Sequence, residues 1–356
     1  MSEKGSLQRL QTVLKNMKAP DSVTAVEQDT FRLPSGKLTV HVNNDDGKKA
    51  FELPILDGAK LTWERQGMPG KFAFETPAEK KYKVDMGDKV KVFLGKTKIF
   101  VGYIFTAQNK KDKLVSYTAY DQIRYLKNKD TLVYKKKTAD ELIRMLADRF
   151  KLQCGKLAET GYRRSAIEDN TTLMDMIQNA LDDTLRTKGK SYVLYDEVGK
   201  LRLVDVASMK VNTCLVDAET GEDFSYKCTI DSDVYNQIKL IYENKKKGTF
   251  DLYVARDSKK ISKWGMLQYV DKIDSPDIGK MKTNALLKLY DQENRTLSVS
   301  GVIGNRNVRG GSLIPVILNL GSVKVSNYMM VEKVTHIFNN GQYTMDLVLS
   351  GGGFSA

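Results

Sequence analysis

Histidine is scarce in this chain of 356 residues, with two copies, and cysteine has only three. His41 alternates with Val40 and Val42, and His336 lies within Val334-Thr335-His336-Ile337-Phe338. Neither belongs to a His-x-x-x-His or Glu-x-x-His spacing, which would set two metal ligands on one helical face, so both are read as packed or surface histidines. With so few bases and no Gly-x-Ser-x-Gly turn to present a nucleophile, a His-dependent triad is not expected. Cys154, Cys214 and Cys228 are far apart and form no Cys-x-x-Cys pair. They are read as buried free thiols, not as zinc ligands or a dithiol couple. Gly301, Gly304, Gly310 and Gly311 are not followed by Gly-Lys-Ser/Thr, and their flanks alternate like strands, so a turn or irregular loop is expected there in place of a phosphate cradle. No run approaches the roughly 18–20 apolar residues of a membrane span. Glu3, Lys4, Arg9, Lys15 and Lys18 interrupt the first residues, which lack the apolar core of a signal peptide, and folding in the cytoplasm is the expectation. No catalytic residue, metal or cofactor is expected.

What is present is a balanced composition, 41% hydrophobic and 28% charged, as in soluble globular proteins. The length suggests two or three domains. A net charge of +13 raises the question of nucleic acid. The lysines are scattered, however: Lys135-Lys136-Lys137 and Lys245-Lys246-Lys247 read as solvated loops with no nucleic-acid motif around them, so no specific nucleic-acid binding is expected. Carboxylates are harder to dismiss, since a glycan-cleaving pair needs only two facing a groove. Asp182 with Asp183, Asp231 with Asp233, and Glu219 with Glu222 qualify by type, and each is read as a helix-surface or loop residue.

Along the chain, Leu7, Leu10, Val13, Leu14 and Met17 fall on one face of a short helix that ends before Pro20, and a polar stretch follows to Asp29. Leu7, Leu10, Leu14 and Met17 are the candidate partner-docking residues, expected to dock on a neighbouring component in preference to the chain's own core. Strands follow from Leu38 to Ala119, among them the period-two runs Val90, Val92, Leu94 and Val115, Tyr117, Ala119. Phe100 to Phe105 suits a strand buried on both faces. Thr138 and Glu141 form the pattern of a capping box before a helix through Leu142, Ile143, Leu146 and Phe150, with Gly155 as its expected stop. A second helix is expected from Thr172 to about Gly189, then a hairpin at Tyr192–Tyr195 and Leu201–Val204. Strands return at 226–230, 236–242 and 250–255, one more helix starts at Ser275-Pro276, and a last sheet begins at Leu297. A faint internal echo links Gly87–Ala119 with Gly311–Leu347.

The run Gly87-Asp88-Lys89-Val90, Ile99-Phe100-Val101-Gly102-Tyr103, Ala119-Tyr120-Asp121-Gln122, Tyr125-Leu126-Lys127-Asn128 and Thr138-Ala139 resembles the XkdQ/YqbQ family of phage and defective-prophage tail proteins. Pro69-Gly70-Lys71 and Tyr235-Asn236-Gln237-Ile238 are similar to steps of the same family. The resemblance implies the central baseplate hub of a contractile tail or tail-like bacteriocin, a homotrimer in the assembled particle that joins the sixfold tail tube to the threefold central spike and meets other baseplate proteins. It implies synthesis in the bacterial cytoplasm, and a structural role, against the rival readings of a tail-associated peptidoglycan hydrolase or a carbohydrate-binding protein. The expected class is α+β and β-rich, with two small β-barrel domains and an α/β insert between them. The expected segments are a helical arm at 1–28, a first barrel at 29–126, the insert at 127–221, a second barrel with a helix at 222–350, and a flexible tail at 351–356.

Overall fold

Alternating burial along the chain builds strands, and most of them join one sheet. In the computed structural model the described residues are 37–44, 49–79, 81–212, 216, 221–231, 233–244, 248–273, 276, 279–319, 324–351 and 354–355. The first seven strands are β1 (Leu38–Asn44), β2 (Lys49–Leu53), β3 (Ala59–Glu64), β4 (Lys71–Pro77), β5 (Lys89–Leu94), β6 (Thr97–Asn109) and β7 (Leu114–Tyr120). They are hydrogen-bonded in the order β3-β4-β7-β6-β5-β1-β2, each pair antiparallel. Val40, Val42, Phe72, Val90, Val92 and Ala119 point inward and are fully buried. That single buried face is what the period of two encodes.

Strand β6 is long because it serves two partners. Its first half pairs with β5 as far as Lys89↔Tyr103, and its second half pairs with β7 from Tyr103↔Tyr120 onward. Residues 99–102 are buried in succession, as expected for a strand covered on both faces. At the changeover a Cβ on Gly102 would lie 2.5 Å from the Tyr120 carbonyl oxygen and 2.6 Å from the Phe100 ring, so the crossing admits no side chain.

The insert follows. Here lie β8 (Lys129–Lys137), α1 (Ala139–Arg149), β9 (Cys154–Leu157), β10 (Arg164–Thr172), α2 (Leu173–Lys188), β11 (Tyr192–Asp196) and β12 (Leu201–Asp205). Helix α1 starts with the expected capping box: the Glu141 amide donates to Thr138 Oγ1, and the Thr138 amide donates to Glu141 Oε2 at 3.1 Å. It stops at Phe150, five residues before the expected Gly155, which lies in β9. The left-handed turn is taken by Lys151 (φ 56°), and the Leu152 amide donates back to the Ala147 carbonyl at 2.8 Å, closing the helix without glycine. Helix α2 has the expected ends, with Thr172 accepting from the Asp175 amide and Gly189 left-handed. The two helices share a core of Leu142, Ile143, Leu146, Leu173, Met176 and Ile177. On it lies the sheet β11-β12-β9, in which the β11–β12 pair is the expected hairpin. The ribbon β8–β10 escaped the sequence reading, because its outward residues are mostly polar and its register slips twice.

The described chain falls into two units, one spanning Tyr226–Leu297 and the other formed by the residues before and after it. The expected 222–350 segment therefore contributes to both. In the first unit, β14 (Gln237–Asn244) pairs antiparallel with β15 (Thr249–Arg256) and parallel with β16 (Gln268–Ile273). A short helix α3 (Ser258–Trp264) precedes β16, and α4 (Gly279–Tyr290) sets Leu286 and Tyr290 against Ile238, Leu240 and Ile273. Strands β13 (Asp223–Thr229) and β17 (Asn294–Ile303) carry the chain into and out of this unit.

In the second unit, β18 (Leu313–Asn319), β19 (Lys324–Asn339) and β20 (Gln342–Ser350) form a meander. Like β6, β19 changes partners: its first half pairs with β18 as far as Leu313↔Met330, and its second half pairs with β20 from Met330↔Ser350. The free edge of that second half pairs with β3, from Lys333↔Glu64 to Phe338↔Ala59. The last strands thereby extend the sheet of the first seven, and the fold is β-rich α+β, the class expected from the sequence.

Candidate functional site

A buried polar clasp in the larger unit ties together three distant stretches: the β3–β4 hairpin, the start of the insert, and the loop before β18. Asp121 is its first member. It follows β7 and caps a 3-10 turn (Gln122–Lys127), accepting from the Ile123 amide at 3.0 Å and from the Gly70 amide at 2.8 Å, while its own amide donates to the Gly70 carbonyl. A Cβ on Gly70 would fall 2.5 Å from the Asp121 carboxylate and 2.8 Å from Trp63, which explains glycine in the Pro69-Gly70-Lys71 step.

Gln122 passes the contact on to the insert. Its Nε2 donates to Asp196 Oδ2 at 2.7 Å and its Oε1 accepts from the Gln153 amide at 2.9 Å, while Gly199 donates its amide to Asp196 Oδ1 at 2.6 Å. Arg309 closes the set. Its Nη1 donates to the Asp196 carbonyl at 3.2 Å, and its guanidinium lies 4.0 Å from the Tyr195 ring centroid and 4.9 Å from that of Trp63. Next to it Gly310 runs so close to β3 that a Cβ would lie 2.5 Å from the Arg65 amide nitrogen.

Burial dominates the electrostatics. It raises the pKa of Asp196 to about 6, against the lowering pull of the Gly199 and Gln122 hydrogen bonds and the Arg309 charge. Asp121 is pushed upward too, by burial first and by the nearby Asp196 charge second. Burial lowers the pKa of Arg309, opposed by Tyr195 and the carboxylates around it. The arrangement is that of a structural staple: two carboxylates held mainly by backbone amides, with a stacked cation between chain segments.

His336 extends the clasp through Trp63, at 5.0 Å between ring centroids and 78° between planes. Its Nε2 lies 3.0 Å from the Val308 carbonyl and its Nδ1 lies 2.8 Å from the Tyr343 hydroxyl. A carbonyl only accepts, so Nε2 carries the proton and Nδ1 accepts from Tyr343. Burial lowers the His336 pKa to about 3, which keeps the ring neutral. The packed histidine expected from the sequence is this one. His41 instead meets Phe93 edge to face on β1 and β5.

The other residues singled out in the sequence do not converge. Leu7, Leu10, Leu14 and Met17 lie outside the described residues, as do Glu219, Cys214 and Lys245–Lys247. Asp183 pairs with Arg164 at 2.9 Å, and Asp182 accepts from Gln178 at 3.1 Å. Glu222 lies against Gly301, where a Cβ would meet its carboxyl carbon at 2.4 Å. Two expectations are corrected. Cys154 is half-buried and Cys228 is exposed, donating to Glu293 at 3.3 Å, because β13 turns its Cys228 position to solvent. Lys135–Lys137 end strand β8, and are not in a loop. Among the described residues, no group of three or more His, Cys, Asp or Glu side chains is placed to hold a metal.

Sequence reasoning reached Asp121-Gln122 and Pro69-Gly70 only as motifs, and missed Asp196 and Arg309 altogether. Arg309 carries no local signal, since its role comes from residues far along the chain, and the turn from Asp196 to Gly199 marks only a hairpin in the sequence. It also missed the apolar pair on the insert ribbon, where Val133 and Ile167 face solvent directly opposite one another.

Comparison with known proteins places these motifs. A YQBQ-like family model matches residues 59–350. The Bacillus subtilis (strain 168) protein YqbQ is 31% identical over 273 residues, covering 75% of this chain and 82% of that one. The phage-like element PBSX protein XkdQ of the same organism is 28% identical over 279 residues, with the same coverage. Among solved structures, the 43 kDa tail protein of prophage MuSo2 from Shewanella oneidensis superposes with a TM-score of 0.67 at 10% identity, covering 88% of this chain and 98% of that one. The fold is thus shared with a prophage tail protein.

Proposed function

The chain belongs to the YqbQ-like family, and on that footing we propose that it is the structural baseplate hub of a contractile tail, a trimeric ring joining the sixfold tail tube to the threefold central spike. The observation that supports this reading is the likeness of two meanders. In β5-β6-β7 and in β18-β19-β20, a short strand, a long strand and a third strand follow one another antiparallel, and the long strand changes partners partway, at Tyr103 in one and at Met330 in the other. The faint echo in the sequence falls on these same strands.

Each meander is the heart of one barrel module, and three chains with two like modules offer six near-equivalent surfaces around an axis. Closed rings repeat one interface, so a trimer of this kind meets sixfold and threefold neighbours alike. Its partners are further copies of itself, the tube protein, the spike and other baseplate proteins. It is made in the bacterial cytoplasm and incorporated into the tail particle, binds no nucleic acid specifically, and cleaves nothing. The clasp serves this role by fixing the insert to the sheet, so that the meanders keep their geometry under load.

Imaging of intact tails tests the proposal. Three copies around the axis, each contributing two modules of matching strand order, are expected. Six copies, or modules of different strand order, refute it. A companion assay on purified cell wall is expected to release no soluble fragments, and release abolished by one Asp or Glu substitution would favour a hydrolase.

A further inference from the structure

Four strands of the larger unit carry one continuous row on their outward face. Register sets Lys71 on β4 opposite Tyr120 on β7, Tyr120 opposite Tyr103 on β6, and Tyr103 opposite Lys89 on β5. Their neighbours Phe72, Ala119, Ile104 and Val90 are buried, so alternation turns the row away from the core. The lysines at its ends are exposed, the tyrosines between them are half-buried, and three strand spacings part the lysines by about 14 Å. Phe105 and Tyr125 widen the aromatic centre. Tyr125 meets Tyr103 at 5.9 Å and Phe105 at 5.8 Å between ring centroids, Phe105 meets Tyr120 at 5.7 Å, and the Arg124 guanidinium lies 5.4 Å from the Phe105 ring. Among the described residues, no hydrogen bond uses the hydroxyls of Tyr103, Tyr120 and Tyr125, and no ion pair uses Lys71, Lys89 or Arg124.

We infer that this row is a docking surface for a different protein, one that presents carboxylates about 14 Å apart on either side of an apolar centre. Composition is the first support: tyrosine, phenylalanine and arginine are enriched at the centres of protein interfaces, where a ring buries its body and keeps a polar tip. Rigidity is the second. The rings stand on a sheet and brace one another, so little rotamer freedom is left to lose on binding. Charge decides the occupant, because a surface bearing carboxylates would pair the cations around the rings while the rings meet its apolar centre.

A second copy fits poorly. Two such faces would set Lys71, Lys89 and Arg124 of one chain against the same cations of the other, and each chain carries a net charge of +13. A single-stranded nucleic acid needs free ring faces for its bases, whereas Tyr103 with Tyr125 and Phe105 with Tyr120 meet edge to face at 67° and 74°, and Arg124 covers Phe105. This inference does not depend on the baseplate reading.

Photocrosslinking of the full-length protein in the bacterium that encodes it tests the inference. With Phe105→p-benzoylphenylalanine, irradiation is expected to join this chain to one other protein, at a peptide that contains Asp or Glu. Lys71→Glu together with Lys89→Glu, both at exposed positions, is expected to lower that product at least tenfold, and exchanging the carboxylates beside the joined position of the other protein for lysine is expected to restore at least half of it. Crosslinks to a second copy, to nucleic acid, to lipid or to glycan, no crosslink at all, a product insensitive to the lysine substitutions, or no recovery on charge exchange would each overturn the inference. Circular dichroism of the double variant guards against misfolding. Where the folded signal is lost, Lys71→Gln with Lys89→Gln is read in its place and is expected to lower the product about threefold. A product recovered from purified tail particles agrees with the baseplate role as well, whereas one recovered only outside them leaves the docking surface standing and counts against that role.

Discussion

Arg309 stands with its guanidinium carbon 4.0 Å from the ring centroid of Tyr195 and donates to the main-chain carbonyl of the adjacent Asp196. One residue thus secures the insert to the loop that leads into the last meander, and it does so beside two buried carboxylates. Removing the cation takes a compensating positive charge away from those carboxylates, on top of the lost ring contacts. Arg309→Ala is expected to cost about 3 kcal/mol of unfolding free energy, measured by urea denaturation at pH 7. Arg309→Lys, which keeps the charge but lacks the planar stack, should recover less than half of the loss.

The clasp and its neighbour His336 respond to acid with opposite signs. Asp196 has a folded pKa of about 6 against an ordinary 3.8, so its unfavourable contribution is complete above pH 6 and is relieved as pH falls toward 4. His336 has a folded pKa of about 3 against 6.5, so its contribution is intact above pH 6.5 and is lost progressively as the unfolded chain takes up the proton below it. Urea titrations at pH 7, 6, 5 and 4 separate the two. Relative to Asp196→Asn, the wild type is expected to gain up to about 3 kcal/mol on going from pH 7 to pH 4. His336→Gln is expected to lose less stability than the wild type over the same range. A pH profile unaltered by either substitution would show that the buried groups do not titrate as their surroundings dictate.

Tyr343 fixes the tautomer of His336 by donating to Nδ1. Tyr343→Phe deletes that donor and leaves a buried acceptor unsatisfied, at about 1–2 kcal/mol. The imidazole nitrogen chemical shifts are the decisive reading: a protonated Nε2 and an unprotonated Nδ1 are expected in the wild type at pH 7.

Gly102 stands at the partner exchange in β6. Gly102→Ala would place a methyl group against the Tyr120 carbonyl and the Phe100 ring, and is expected to lower stability by about 2 kcal/mol or more. The equivalent change at the exposed Gly58, where nothing lies within 4 Å, meets no neighbour and costs only the strain of its left-handed backbone, so thermal unfolding of the pair isolates the steric part.

The sequence by itself determined the elements whose causes are local. Thr138 and Glu141 cap α1, Thr172 and Gly189 bound α2, and alternation sets the inward faces of β1, β4, β5 and β7, because each depends on residues within one turn or one strand. It missed the end of α1, since Lys151 takes a left-handed conformation usually left to glycine, and the β8–β10 ribbon, whose outer face carries mostly polar side chains. Only tertiary structure decided that β19 joins β3, that Arg309 meets Tyr195, and that His336 is neutral. The first two rest on contacts between residues more than a hundred positions apart, and the third on the burial of His336, for which a linear pattern holds no signal.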